Sequence, residues 1–267
     1  MSDVMFAFLL TLMAGLFTGV GGLVAFFSRK LNPNFLAVSL GFSAGVMIYI
    51  SFVEIFAKSY EMLGYAHEDN AMLFTTIAFF GGILLIALIE KLVPHEHATS
   101  VAFSSDTQGI SISKEDARSL KRIGLMSAIA IAIHNFPEGL VTFMAAMHDP
   151  ALGVSIAVAI AIHNIPEGIA IAVPIRYATG SKKKALLASL ASGLTEPLGA
   201  IVAYLILAQF MNDSVFGLTF ALVGGIMVYI AVEQLLPTAQ KYGKHSQVMA
   251  SVFIGMAVMA ASLVILG

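Results

Sequence analysis

The chain has 267 residues, 58% of them apolar and 11% charged, with a formal net charge of -2. It is too apolar for one soluble domain and long enough for several membrane spans, and so small a charge points to no partner by itself. With no cysteine, disulfides and thiolate ligands are excluded.

Continuous apolar runs occupy 4 to 28, 35 to 57, 72 to 93, 122 to 147, 151 to 176, 184 to 211, 216 to 236 and 247 to 266. Each is about 20 residues or more, enough for a hydrocarbon layer of about 30 Å, and none has the short alternating segments of a barrel. The expected fold is therefore all-α: a single polytopic membrane domain over 1–267 with eight transmembrane helices. The first run follows Met-Ser-Asp with no Lys or Arg ahead of it and no small-residue cleavage site behind, so it is expected to be retained rather than cleaved.

Basic residues fall into alternate loops: Arg29 and Lys30; Lys91, Lys114, Arg118, Lys121 and Arg122; Arg176 and Lys182 to Lys184; Lys241 and Lys244. The positive-inside rule puts those loops in the cytoplasm and both termini outside, with Lys58 the exception. Lys182 to Lys184 are expected to meet lipid phosphates rather than nucleic acid. Without Trp, the interface aromatics are expected to be Tyr60, Tyr65, Tyr177 and Tyr242.

In the second span, Gly45-Val-Met47-Ile-Tyr49-Ile50 is echoed by Gly225-Ile-Met227-Val-Tyr229-Ile230 in the seventh, with Glu54 and Glu233 following at nearly matching offsets. Both acids read as vestibule or interfacial residues, and Met47 as packing or a soft ligand. Glu90 and Lys91 are expected to snorkel together at the inner interface. The Ser-rich loop of about 94 to 121 carries His95-Glu96-His97, which reads as a solvated stretch before it reads as metal capture.

The densest chemistry lies in the next two spans, joined only by His148, Asp149 and Pro150 and therefore antiparallel. Ile-Ala-Ile-His-Asn-Phe-Pro-Glu-Gly at 131 to 139 is repeated as Ile-Ala-Ile-His-Asn-Ile-Pro-Glu-Gly at 160 to 168. His134 with Glu138, and His163 with Glu167, are four residues apart and share one helix face. Glu196, from Thr195-Glu196-Pro197 in the sixth span, is expected at the same depth near the midplane. Together with the echo in spans two and seven, the duplication suggests inverted-topology repeats, as in secondary transporters.

A charged group at bilayer depth costs at least about 2.5 to 3.5 kcal/mol, so it is rarely present without a partner, an ion or a pathway. Pro137, Pro166 and Pro197 each remove a ladder bond beside an acid, and three such breaks mark a wet cavity. Gly139 and Gly168 are expected to permit close packing. Imidazole and carboxylate without thiolate suit Zn(II), Fe(II), Mn(II), Co(II) or Ni(II) rather than Cu(I). Two histidines and two glutamates complete a tetrahedral zinc site, while Asn135 and Asn164 with Glu196 offer a harder, oxygen-rich one. Without metal, carboxylates so close share at least one proton, so loading a cation releases protons and acid weakens it.

Interhelical glue explains one His–Glu pair but poorly explains two matched pairs plus Glu196. An intramembrane metalloprotease would want His-Glu-x-x-His, which is absent here, and a proton-coupled cation channel or exchanger leaves the histidines unused.

The paired His-Asn-x-Pro-Glu-Gly motifs, the Glu-Pro of the sixth span and Ala44-Gly45-Val-Met47 in the second resemble the ZIP (Zrt/Irt-like) metal transporters, over essentially the whole chain. The resemblance implies eight spans with both termini outside, a multi-pass cell-membrane location, and uptake of zinc and other divalent metals such as iron, manganese, cobalt or cadmium. It implies a binuclear centre, with His134, Glu138, His163 and Glu167 holding one ion and Asn135, Glu138, Asn164, Glu167 and Glu196 the second. Many relatives carry His-Glu-x-x-His-Glu in the fifth span, so Asn164 makes this second site less acidic. Zn(II) or Fe(II) is then substrate, with no prosthetic group expected. The implied partners are metal ions, the lipid bilayer and a second copy of the chain in a homodimer, with no nucleic acid. One helix bundle moving against another is implied in the same way.

Overall fold

A computed structural model describes residues 2–27, 33–92, 114–207, 210 and 212–266, and the regular structure among them is all helical. Eight rods follow one another: α1 (Asp3–Phe27); α2 over 33–66, with a π-helical turn at Ser51–Phe56; α3 (Ala71–Leu92); α4 (Lys114–His148); α5 (Pro150–Thr179); α6 over 182–207; α7 over 213–242, with a π-helical turn at Ala231–Leu235; and α8 (His245–Leu266). Among the described residues, seven stretches are long and apolar enough to cross a membrane, and α4 is an eighth rod of 35 residues. The chain is an all-α polytopic membrane protein.

Local chemistry sets the rod ends. Asp149 caps α5 by accepting a hydrogen bond from the Ala151 amide at 2.8 Å, and Pro150, which has no N–H to satisfy, takes the first helical position. This fixes the one-residue turn between α4 and α5. Gly180, in the left-handed region at φ 63, closes α5, and Ser181 caps α6 through the Lys184 amide at 3.3 Å.

The expected proline breaks are corrected in part: α4 and α5 run unbroken through Pro137 and Pro166, and of the three proline-bearing helices only α6 is interrupted, at Leu194 between Lys182–Gly193 and Thr195–Val202. A lost ladder bond is tolerated inside a packed bundle because neighbouring helices hold the backbone in place. The Glu90 carboxylate also reaches α7, where it accepts from the Tyr229 hydroxyl at 2.7 Å and from the Gln234 side-chain amide. Helix α4 also begins at Lys114, within the segment expected to be loop. His95, Glu96, His97, Arg29 and Lys30 lie outside the described residues. Lys58, the exception to the basic pattern, is paired with Glu61 at 2.9 Å.

The rods form two groups. Helices α1, α4, α5 and α6 pack on one another, as do α2, α3, α7 and α8, and the groups meet mainly where α2 lies on α5. Within each group the closest approaches are glycine against backbone carbonyl, and they are reciprocal. A Cβ on Gly168 would overlap the Thr18 carbonyl and one on Gly21 the Ile165 carbonyl; likewise Gly139 faces the Glu196 carbonyl and Gly199 that of Phe136. In the second group Gly45 faces the Val252 carbonyl and Gly255 that of Phe42, while Gly225 faces the Phe79 carbonyl and Gly82 that of Leu222. Lipid tails are as apolar as Leu, so helices associate through such close packing rather than through hydrophobic burial. The outward side of α3, with Met72, Ile77, Phe80, Leu84 and Leu88 exposed, suits lipid.

Gly81 and Gly82 separate packing from propensity. Gly82→Ala is expected to destabilise by about 1 to 3 kcal/mol through overpacking against Leu222, whereas Gly81, with open space around it, should accept alanine without loss. Thermal unfolding of the two variants in detergent checks this, and equal midpoints would refute the close contact.

Candidate metal centre

The two antiparallel motifs of α4 and α5 bring their imidazoles and carboxylates together across the hairpin. His163 Nε2 lies 3.1 Å from Glu138 Oε1, and His134 Nε2 lies 3.8 Å from Glu167 Oε2. Each histidine is therefore paired with the glutamate of the opposite helix, and His163 also lies close to Glu167, four residues along its own. Ligand atoms of Glu138, His163 and Glu167 all fall within 4.8 Å of one another, near enough for one ion to touch all three.

The asparagines extend the cluster. Asn164 Nδ2 donates to Glu196 Oε1 at 2.5 Å and to the Ala14 carbonyl at 2.9 Å, tying α5 to both α6 and α1. Asn135, with its amide oriented to satisfy its neighbours, donates to the Ile131 carbonyl at 2.9 Å and to Glu167 Oε2 at 3.2 Å. His134, Asn135, Glu138, His163, Asn164, Glu167 and Glu196 are thus all linked, and all are buried at 1% exposure or less.

Burial with so few partners is what distinguishes this region. Both ring nitrogens of His134 lack a hydrogen-bond partner, as do Glu138 Oε2, His163 Nδ1, Asn164 Oδ1, Glu167 Oε1 and Glu196 Oε2. Buried polar atoms are overwhelmingly satisfied in folded proteins, and an unsatisfied one costs about 1 to 3 kcal/mol. Buried hydroxyls of Thr18, Ser51 and Thr75 are also unpartnered, but here seven orphaned nitrogen and oxygen atoms gather in one cluster, a set that a divalent cation would satisfy together. The glycines after each glutamate draw α6 and α1 close: Gly139 lies on the Glu196 backbone and Gly168 on that of Thr18.

Sequence reasoning missed Ser43. Its buried hydroxyl donates to the His163 carbonyl at 3.3 Å, from α2 in the other group of helices. No local signal separates it from the other small polar residues of α2, because the contact spans 120 positions of chain. Met47 is fully buried in the apolar core, in keeping with its packing reading. Glu54 and Glu233 sit in the two π-helical turns.

Comparison with known proteins agrees with this chemistry. A family model described as ZIP Zinc transporter matches residues 91–263. The chain is 56% identical to zinc transporter ZupT of Nitratidesulfovibrio vulgaris, with 98% of each chain covered. It is 52% identical to zinc transporter ZupT of Chlorobaculum parvum over 99% of each chain, and 51% identical to that of Streptococcus mutans over 97% of each.

Asn164→Asp tests the site geometry directly. An aspartate cannot donate to Glu196 or to the Ala14 carbonyl, so in chelator the variant should lose about 1 to 3 kcal/mol of stability through unsatisfied buried groups. Added divalent cation should recover that loss, giving a larger metal-induced rise in Tm than in the wild type. An unchanged Tm in chelator would contradict the bonding described.

Proposed function

The chain belongs to the ZIP zinc transporter family, and from that premise we propose that it is a multi-pass protein of the cell membrane that takes up zinc and other divalent cations. The carrying observation is the cluster of buried, orphaned ligand atoms from two antiparallel His-x-x-x-Glu segments, three of whose side chains meet within 4.8 Å. In this reading His134, Glu138, His163 and Glu167 hold one ion. Asn135, Asn164 and Glu196, with Glu138 and Glu167 shared, hold a second, harder-liganded one. The ion is cargo, so the centre has to release it as well as bind it. Uptake suits the driving force, since a divalent cation entering a negative interior gains about 4.6 kcal/mol per 100 mV, twice the single-charge value.

The same reading includes an inverted repeat and a topology. The repeat is supported by the reciprocal glycine contacts: α1 lies on α5 as α6 lies on α4, and α2 lies on α8 as α7 lies on α3, which makes α1 the counterpart of α6, α5 of α4, α2 of α7 and α8 of α3. It is supported too by the π-helical turns that follow both echoes, starting at Ser51 and Ala231. Termini outside the cell follow from the alternation of basic loops. A homodimer rests on the family resemblance alone.

In proteoliposomes, Glu138→Ala and His163→Ala are each expected to abolish most zinc uptake seen with the wild type; undiminished flux in both would sink the reading. Because the chain has no cysteine, topology can be read from single replacements. Asp69→Cys should react with an impermeant thiol reagent from outside intact cells and Lys183→Cys only after permeabilisation, the reverse pattern inverting the proposed orientation.

A further inference from the structure

The reciprocal contacts of the metal-bearing group assign each residue of α1 a counterpart in α6. Gly21 matches Gly199, and Thr18, whose carbonyl receives Gly168, matches Glu196, whose carbonyl receives Gly139. Gly15 and Gly193 face each other at the crossing. A Cβ on Gly15 would come within 3.4 Å of Glu196 Cβ, and one on Gly193 within 3.0 Å of Thr18 Cβ. The two side chains therefore leave equivalent places on either side of one local axis. On its side Glu196 reaches Asn164; on the other, the corresponding asparagine is Asn135.

Thr18 is fully buried and its hydroxyl has no hydrogen-bond partner. Thr75 of α3 is likewise buried without a partner, but it lies in the other group of helices, away from the metal-bearing one. Thr11, Thr142 and Thr179 each donate to the carbonyl four residues back, at 2.9, 2.8 and 2.7 Å. For Thr18 that carbonyl belongs to Ala14, which receives the Asn164 amide instead. The hydroxyl of threonine ends about two bonds short of where a glutamate carboxylate ends, a gap that one hydrogen-bonded water spans.

We propose that Thr18 is a positioning residue of the metal centre, its hydroxyl holding a water ligand of the ion on the Asn135 side where Glu196 supplies a carboxylate on the Asn164 side. The proposal rests on the reading of the centre as a metal site. It makes the two halves chemically unequal: one has Glu196 as an additional carboxylate, the other a neutral hydroxyl and its water. A tetrahedral zinc ion satisfied by imidazole and carboxylate has little use for that water, whereas ions that take more ligands and retain water, such as Co(II) or Mn(II), depend on it. Thr18 thereby tunes which cations the protein prefers.

The test is titration of the purified full chain in detergent, stripped of metal, with Co(II) and with Zn(II). Thr18→Val is expected to weaken Co(II) binding about ten-fold, the lower end of what losing an outer-shell partner costs, and Zn(II) binding by less. Loss of the water should also raise the intensity of the visible Co(II) bands as the coordination number falls. Thr18→Ser keeps the hydroxyl and should bind both ions as the wild type does; Thr18→Ala should follow Thr18→Val and replaces it if the valine variant does not fold. Wild-type Co(II) affinity in Thr18→Val or Thr18→Ala, or equal weakening in Thr18→Ser, would overturn the proposal while leaving the metal centre intact. A wild-type protein that binds neither ion would overturn the metal-centre reading, and this one with it.

Discussion

Three glutamates with no exposure to solvent, set in helices that cross a hydrocarbon layer, are the constraint around which the molecule is arranged. An isolated carboxylate there is costly enough that it either takes a proton or finds a cation. Glu138 and Glu167 come from antiparallel helices of one hairpin, so neither can move away without separating α4 from α5. The imidazoles reach across to the opposite glutamates at 3.1 and 3.8 Å. A divalent ion shared between the two glutamates and their imidazoles would satisfy such a set jointly.

Holding the set together falls to residues that carry no charge. Gly139 and Gly168, one position after each glutamate, let the backbones of α6 and α1 approach so closely that any side chain would collide. The glycines thus fix the depth of Glu196 and Thr18 relative to the hairpin, and so the distance from Glu196 to Asn164. In lipid, small-residue contacts do the work that apolar burial does in water. The prolines act differently from the glycines: α4 and α5 pass through them without a break, so their effect is confined to single carbonyls beside the acids.

The helical class and the clustering of these side chains were legible because their signals are local. Apolar run length announces a span, and the His-x-x-x-Glu spacing places two side chains on one helix face whatever lies opposite. What sequence could not supply was the partner across a helix boundary. Each histidine pairs with the other helix's glutamate, Asn164 bonds Ala14 from 150 positions away, and Ser43 bonds His163 from 120. The Tyr229 partner of Glu90 was hidden for the same reason, since it is 139 positions distant. Thr18 was invisible: nothing local separates it from Thr75, whose buried hydroxyl is also unpartnered, and what marks it is its place opposite Glu196 together with the Ala14 carbonyl receiving Asn164.

The charge on the centre bears on how cargo leaves it. With the asparagines neutral, the carboxylates of Glu138, Glu167 and Glu196 supply three negative charges when ionised. One divalent ion leaves the set with a single negative charge, and a second ion carries it to a single positive one. The first ion therefore meets a strongly anionic site and the second a weakly anionic one, while the two cations repel across the shared carboxylates. Replacing Asn164 by an acid would remove this imbalance and hold both ions. Conduction needs sites that bind well enough to be entered and weakly enough to be left. In the proposed two-ion reading, a centre poised one charge to either side of neutrality would meet that condition, because arrival of a second cation would lower the cost of releasing the first.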